Sequence, residues 1–102
     1  PWLLGFSFGA AVASRAAVQA QARRLVTVAP AIDRIATGYP MPSCPWLLIQ
    51  GDADEVIDAG AVLEWAARQA PAPTVRVFKE TGHFFHGRLA ELRAAVVEFA
   101  SY

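Results

Sequence analysis

The chain has 102 residues, enough for one small domain and too few for two. Nine Lys and Arg residues balance nine Asp and Glu residues, so the formal net charge is zero. Its scattered basic residues leave no electrostatic footprint for nucleic acid or acidic lipid, and no apolar run is long enough to span a membrane. The single cysteine, Cys44, cannot form an internal disulfide, which fits a reducing compartment such as the cytoplasm.

Strand and helix patterns alternate along the first half of the chain. Apolar residues 2–4 predict the end of a buried strand, and an alanine-rich pattern over residues 8–23 predicts a helix. A β-branched run at residues 25–29, stopped by Pro30, predicts a second strand covered on both faces. Irregular sequence at residues 31–44 predicts a loop with one short helical turn.

The second half continues the alternation. Residues 45–50 predict a third buried strand, which ends in an acidic turn, and Asp58 is a candidate N-cap for a helix reaching about Gln69. Residues 74–78 predict a fourth strand near an edge of the sheet. A last helix over residues 88–100 has an apolar stripe formed by Leu89, Leu92, Val96 and Phe99. The order predicts an α/β fold with a parallel sheet of about four strands and right-handed crossovers.

A G-x-S-x-G pattern, Gly5-Phe6-Ser7-Phe8-Gly9, lies where the first strand meets the first helix. The glycines tolerate a sharp bend and leave the hydroxyl of Ser7 uncrowded. The N–H of Phe8, at the start of the helix, is suited to bind a developing oxyanion. The segment therefore predicts a nucleophile and half of an oxyanion hole, with a glycine-rich turn carrying an incidental serine as the alternative.

Two acidic residues and a histidine follow the third and fourth strands. Because the carboxyl ends of parallel strands meet at one edge of a sheet, Ser7, the turn with Asp52 and Asp54, and His83 are expected to lie together. A serine hydroxyl is a weak nucleophile at neutral pH, so His83 must take its proton. A carboxylate would hold the imidazole in the correct tautomer and stabilise its charged form, and either aspartate could do so.

These three segments, residues 5–9, 50–56 and 82–85, together resemble the C-terminal half of a small lidless bacterial α/β-hydrolase related to carboxylesterases and dienelactone hydrolases. The resemblance implies an acid three residues after the glycine that ends the strand, which selects Asp54 over Asp52. It also implies a histidine that follows a glycine, which selects His83 over His86. Dienelactone hydrolases usually carry a cysteine nucleophile, so a serine favours esterase-like chemistry.

The resemblance implies a serine hydrolase that acts on small esters or related acyl compounds, with no cofactor. A thioesterase or a peptidase would have the same triad. In this family several strands precede the serine, and a loop among them donates the second oxyanion N–H. We therefore expect residues 1–102 to form a single partial domain with an open apolar edge at its first strand. That edge would pair with the missing half or with a second copy, and a non-catalytic scaffold or interaction half is the competing function.

Aromatic side chains flank the proposed site. Four phenylalanines are candidates for the wall of an acyl pocket, and a place in the hydrophobic core is the alternative for each: Phe6, Phe8, Phe84 and Phe85.

Other polar residues near the motifs have simpler interpretations. The spacing of His83 and His86 could imitate a metal site, but without cysteine or a supporting glutamate no metal is expected. Glu55 is expected to be a solvated turn residue. Cys44 has no helix N-terminus or histidine nearby in the sequence, so it is not expected to be a nucleophile.

Overall fold

The computed structural model describes residues 2–35 and 41–101. Within these ranges four strands alternate with three α-helices: β1 Trp2–Phe6, α1 Phe8–Gln19, β2 Arg24–Val28, β3 Trp46–Gly51, α2 Ala59–Ala67, β4 Thr74–Phe78 and α3 Leu89–Ala100. A 3₁₀ turn at Ile32–Arg34 provides the short helical turn predicted after the second strand. The rest of that predicted loop includes residues 36–40, which lie outside the described residues.

The four strands form one sheet in the order β1-β2-β3-β4, and each neighbouring pair is parallel. The predicted fold class is confirmed. Register places Phe6 beside Val28 and Gly51 beside Phe78, so the strands end at nearly the same level. Every segment that leaves a strand at its carboxyl end therefore begins at the same edge of the sheet.

Hydrophobic clusters cover both faces of the central strands. On one face, α3 packs against β2 and β3 through Phe99 and Ala95. On the other face, α1 and α2 pack against them through small side chains, among them Ala17 and Ala66, which let the helices approach the sheet closely. Residues 25–28 and 46–51 are buried throughout, as a parallel sheet between two helical layers requires. In the described ranges, no helix is long and apolar enough to cross a membrane.

Helix α1 ends four residues earlier than the sequence pattern predicts. Gln21 adopts a left-handed conformation with φ of 51°, and the chain leaves the helix there. The N–H of Ala22 donates to the carbonyl of Ala17 over 2.9 Å, and that of Gln21 to Val18 over 3.3 Å. This is the Schellman arrangement, in which glycine is the usual residue. Since a glutamine occupies the position, the sequence carries no recognisable stop signal.

Three side chains predicted to be buried are exposed instead. Trp2 and Leu4 are 44% and 59% exposed because β1 is an edge strand of the described sheet and no helix fully covers their face. Leu89 is 64% exposed because it begins α3, one turn before the residues that reach the sheet. Its predicted partners Leu92, Val96 and Phe99 do pack on the core.

Candidate active site

Ser7 occupies the sharp turn between β1 and α1 in a strained backbone conformation, with φ of 57° and ψ of −117°. A positive φ is unusual for a residue with a side chain and persists only where the surroundings impose it. Its N–H donates to the carbonyl of Val28 over 2.9 Å, and its carbonyl accepts from the N–H groups of Ala10 and Ala31, each over 3.1 Å. Hydrogen bonds to β2, to α1 and to the segment after β2 thus hold the backbone of Ser7 in place.

Of the two glycines around the serine, only Gly5 is required by close approach. A Cβ at Gly5 would lie 2.3 Å from the carbonyl oxygen of Gly9 and 2.6 Å from Cα of Ala10, so glycine lets α1 fold back over β1. A Cβ at Gly9 would meet nothing within 4 Å in the described part of the chain. The prediction that both glycines relieve crowding is therefore wrong for Gly9.

Three side chains from the carboxyl ends of β1, β3 and β4 form a hydrogen-bonded chain. Nε2 of His83 lies 3.1 Å from Oγ of Ser7, a residue 76 positions away in the sequence. Nδ1 of His83 lies 2.8 Å from Oδ2 of Asp54. The side chains of His83 and Asp54 are 3% and 0% exposed, so water does not compete for their contact.

The carboxylate of Asp54 accepts four hydrogen bonds. Oδ1 accepts from the N–H groups of Val56 and Ile57 over 2.8 and 2.7 Å, and Oδ2 accepts from Gln50 as well as from His83. Burial alone would raise the pKa of Asp54, but these hydrogen bonds, led by that of Ile57, outweigh burial and lower the pKa below its usual value. Asp54 is therefore ionised at neutral pH, as an acceptor of a histidine N–H must be.

Asp52, the rival acid, makes a different contact. Its Oδ1 accepts from the N–H of Glu80 over 2.6 Å, and its own N–H donates to the carbonyl of Phe78 over 3.0 Å. Asp52 thus connects the turn after β4 to the end of β3. The structure therefore brings Asp54, and not Asp52, to His83.

Glu55 has a contact that the sequence did not reveal. Its Oε1 accepts from the backbone N–H of His83 over 3.1 Å. A Cβ at Gly82 would lie 2.9 Å from Oε2 of the same carboxylate, so the glycine before the histidine makes room for this approach. Glu55 is exposed in the turn after β3, as expected, but it also holds the loop that carries His83.

The aromatic candidates separate into two groups. The ring centroids of Phe6 and Phe84 each lie 5.0 Å from that of the His83 imidazole, and both side chains are partly exposed. Phe85 is 1% exposed and packs edge-on against Phe78 at 5.4 Å in the core beneath α3. The prediction that Phe85 lines a pocket is wrong, since its side chain points into the sheet.

His86 and Cys44 do not join the site. The ring of His86 is exposed and lies 6.4 Å from that of Phe84. In the described part of the chain, no three or more His, Cys, Asp and Glu side chains are grouped so that they could hold a metal ion. Burial raises the pKa of the Cys44 thiol, only partly offset by a backbone hydrogen bond, so the thiol is protonated at neutral pH.

An open cleft of about 690 Å³ lies beside Ser7. Its apolar lining includes Phe8, Ile32 and Ile57, contributed by α1, by the 3₁₀ turn and by the segment before α2. The guanidinium of Arg34 lies 6.0 Å from the Phe8 ring centroid. Phe8 was a candidate pocket residue, but sequence reasoning missed the rest of this cleft because its walls come from three segments that are far apart in the sequence.

Among the residues that the structure describes, the four-stranded parallel sheet and its three helices match the fold of an α/β-hydrolase. No protein-family model matches the sequence, and no curated protein matches it. Solved structures do match. A lidless α/β serine hydrolase from Xanthomonas campestris is 40% identical, with a TM-score of 0.89 over 98% of this chain and 46% of that one.

Two further structures extend the likeness. An α/β serine hydrolase homologue from Coxiella burnetii is 37% identical, with a TM-score of 0.86 over 95% of this chain and 47% of that chain. Est1E from Butyrivibrio proteoclasticus shares the fold at 17% identity, with a TM-score of 0.85 over 97% of this chain and 59% of that one. The chain thus matches part of an α/β-hydrolase of the lidless serine hydrolase kind, and it spans about half the length of the first two neighbours.

Proposed function

We propose that this chain carries the catalytic residues of a serine hydrolase that acts on small esters or related acyl compounds. The observation that supports this is the hydrogen-bonded chain from Asp54 through His83 to Ser7, whose two contacts measure 2.8 and 3.1 Å. Two of the solved neighbours, at 40% and 37% identity, are described as α/β serine hydrolases or homologues of them.

In the acylation step, Oγ of Ser7 attacks the carbonyl carbon of the ester while Nε2 of His83 takes the hydroxyl proton. The carbonyl π electrons move to oxygen and form an oxyanion. Its collapse breaks the bond to the alcohol oxygen, which leaves with the proton held by His83. Asp54 stabilises the transient imidazolium through Nδ1 and remains ionised throughout.

Deacylation repeats these steps with water as the nucleophile. His83 takes a proton from water, the hydroxide adds to the acyl carbon, and Oγ of Ser7 leaves with the proton returned by His83. The carboxylic acid product departs and the free serine is restored. The chemistry needs no cofactor beyond these side chains.

The oxyanion would bind first at the N–H of Phe8, since the first N–H groups of a helix have no partner within the helix. We propose that a second donor comes from residues outside this chain. The apolar lining by Phe8, Ile32 and Ile57 suits a hydrocarbon group of the substrate. Because the cleft is open in the described part of the chain, it does not select one acyl chain.

A fluorophosphonate probe tests the proposal directly. In the full-length protein carrying this chain, intact-mass spectrometry should show a gain equal to the probe less HF, as Oγ of Ser7 displaces fluoride from phosphorus. Ser7→Ala should abolish the gain, whereas Ser43→Ala, which removes an exposed serine, should retain it. Hydrolysis of matched oxygen esters, thioesters and amides would then separate an esterase from a thioesterase or peptidase.

A non-catalytic role as an interaction half is the second candidate, favoured by the exposed apolar residues Trp2 and Leu4 on β1. In that case the β1 edge would bind another sheet, either from the remainder of a longer protein or from a second copy. An unlabelled Ser7 in a folded full-length protein would refute the hydrolase and leave this role. Labelling at Ser7 would refute a purely structural function.

A further inference from the structure

Gln50, near the end of β3, has a fully buried side-chain amide whose nitrogen and oxygen differ in their hydrogen bonding. Its Nε2 donates to the carbonyl of Gly51 over 3.0 Å and to Oδ2 of Asp54 over 3.1 Å. Its Oε1 is buried and has no hydrogen-bond partner among residues 2–35 and 41–101. Buried polar atoms are nearly always paired, so an unpaired amide oxygen requires an explanation.

The orientation of the amide supplies that explanation. The reverse orientation would point Oε1 at the carbonyl oxygen of Gly51 and the carboxylate of Asp54, and neither of these can donate a hydrogen bond. The observed orientation leaves one oxygen of Gln50 unpaired but gives both acceptors a donor. The hydrogen bond that Nε2 of Gln50 donates to Asp54 therefore determines how the Gln50 side chain is oriented.

We propose that Gln50 is a positioning residue for the reaction, acting through Asp54 and without touching the substrate; this role rests on the proposed function. Oδ2 of Asp54 receives two donors, Nε2 of Gln50 and Nδ1 of His83. Asp54 lies in the turn after β3, whereas Gln50 is part of β3 itself, where it pairs with Val77 of β4. Through Gln50, β3 thus fixes the position of Oδ2 of Asp54. Oδ2 in turn fixes the orientation of the His83 imidazole.

The second donor also lowers the basicity of the carboxylate. Without the N–H of Gln50, Asp54 would stabilise the imidazolium more strongly, and activity would require a higher pH. The titratable groups that face His83 are Asp54, at Nδ1, and Glu55, at the backbone N–H. Ser7, Phe6 and Phe84, which contact its ring, carry no charge.

The rate of Ser7 phosphonylation by the fluorophosphonate, followed from pH 5 to 9 in the full-length protein, tests this role. Gln50→Met keeps the side-chain length and removes both the donor and the unpaired oxygen, so the variant should fold. We expect the rate at pH 8 to fall about tenfold through misalignment. The midpoint of the pH profile should move to higher pH.

Ser14→Ala is the matched control, because Ser14 is fully buried and its Oγ donates to the carbonyl of Ala10 over 2.8 Å, within α1. It should change neither the rate nor the midpoint. If the wild-type protein is labelled at Ser7 and Gln50→Met has the same pH profile of labelling rate, the positioning role is overturned and the proposed function stands. A slower rate with an unmoved midpoint would also overturn it, since Gln50 would then be structural only. An unreactive wild-type Ser7 would refute the proposed function, and the role of Gln50 with it.

A second measurement needs no change at Gln50. In protein with ¹⁵N-labelled glutamine, one side-chain amide proton of Gln50 should resist exchange and resonate downfield, because its acceptor is charged. In Asp54→Asn that proton should move upfield, since an amide nitrogen, which cannot accept a hydrogen bond, would replace the charged oxygen Oδ2. A resonance that exchanges freely, or that does not move in Asp54→Asn, would contradict the bond on which the proposal rests.

Discussion

Replacing Asp54 by asparagine should leave the fold intact while removing the function of His83. The N–H groups of Val56 and Ile57 would keep the amide oxygen at the position of Oδ1, because an amide nitrogen there would face two donors. The amide nitrogen would then stand where Oδ2 now accepts from His83.

This nitrogen can pair with the imidazole only if Nδ1 of His83 becomes an acceptor. The ring proton would then reside on Nε2, the atom 3.1 Å from Oγ of Ser7, which could no longer take the hydroxyl proton. A wrong tautomer of this kind costs about 10⁴ in turnover in serine proteases. That factor corresponds to about 5.4 kcal/mol of activation free energy.

The assay is the initial rate of hydrolysis of a small chromogenic ester at pH 8 by the full-length protein, with Asp52→Asn as the matched control. Asparagine at position 52 keeps an oxygen that can accept from the N–H of Glu80, so its rate should stay within about threefold of wild type. Thermal melting of both variants would exclude unfolding as the cause. A larger loss in Asp52→Asn than in Asp54→Asn would show that the assignment of the acid is wrong.

Two further predictions concern stability. Gly5→Ala should lower the free energy of unfolding by about 3 kcal/mol, because the new Cβ would overlap backbone atoms 2.3 and 2.6 Å away. Gly9→Ala places its Cβ in open space within α1, so it should raise the free energy of unfolding by up to about 1 kcal/mol. Equal urea midpoints for Gly5→Ala and Gly9→Ala would contradict these packing differences. The lowered pKa of Asp54 means that its carboxylate stabilises the fold above the unfolded value of about 3.9, and that this contribution is lost as pH falls through the folded pKa. The difference in Tm between wild type and Asp54→Asn should therefore narrow below about pH 4, and a constant difference between pH 6 and 3.5 would refute the shift.

The sequence by itself was sufficient for the order of elements and for the fold class. Period-2 and period-3.6 apolar patterns are local, so strands 2 to 4 were predicted within a residue of their observed bounds. The N-cap at Asp58 was predicted as well, and its Oδ1 accepts from the N–H of Ala61 over 3.0 Å. The end of α1 was not predictable, because Gln21 takes the conformation for which glycine is the usual signal.

At the site, the chain order of serine, acid and histidine predicted which strand ends would meet. The choice between two aspartates two positions apart came only from the resemblance, and the contacts that separate them are tertiary. Asp54 meets a histidine 29 residues away, whereas Asp52 binds the turn after β4. The contacts of Gln50, Glu55 and Phe85 were invisible for the same reason. Periodicity and turn chemistry act between near neighbours, but a side chain in a loop takes its partners from whatever other loops bring to the same edge of the sheet.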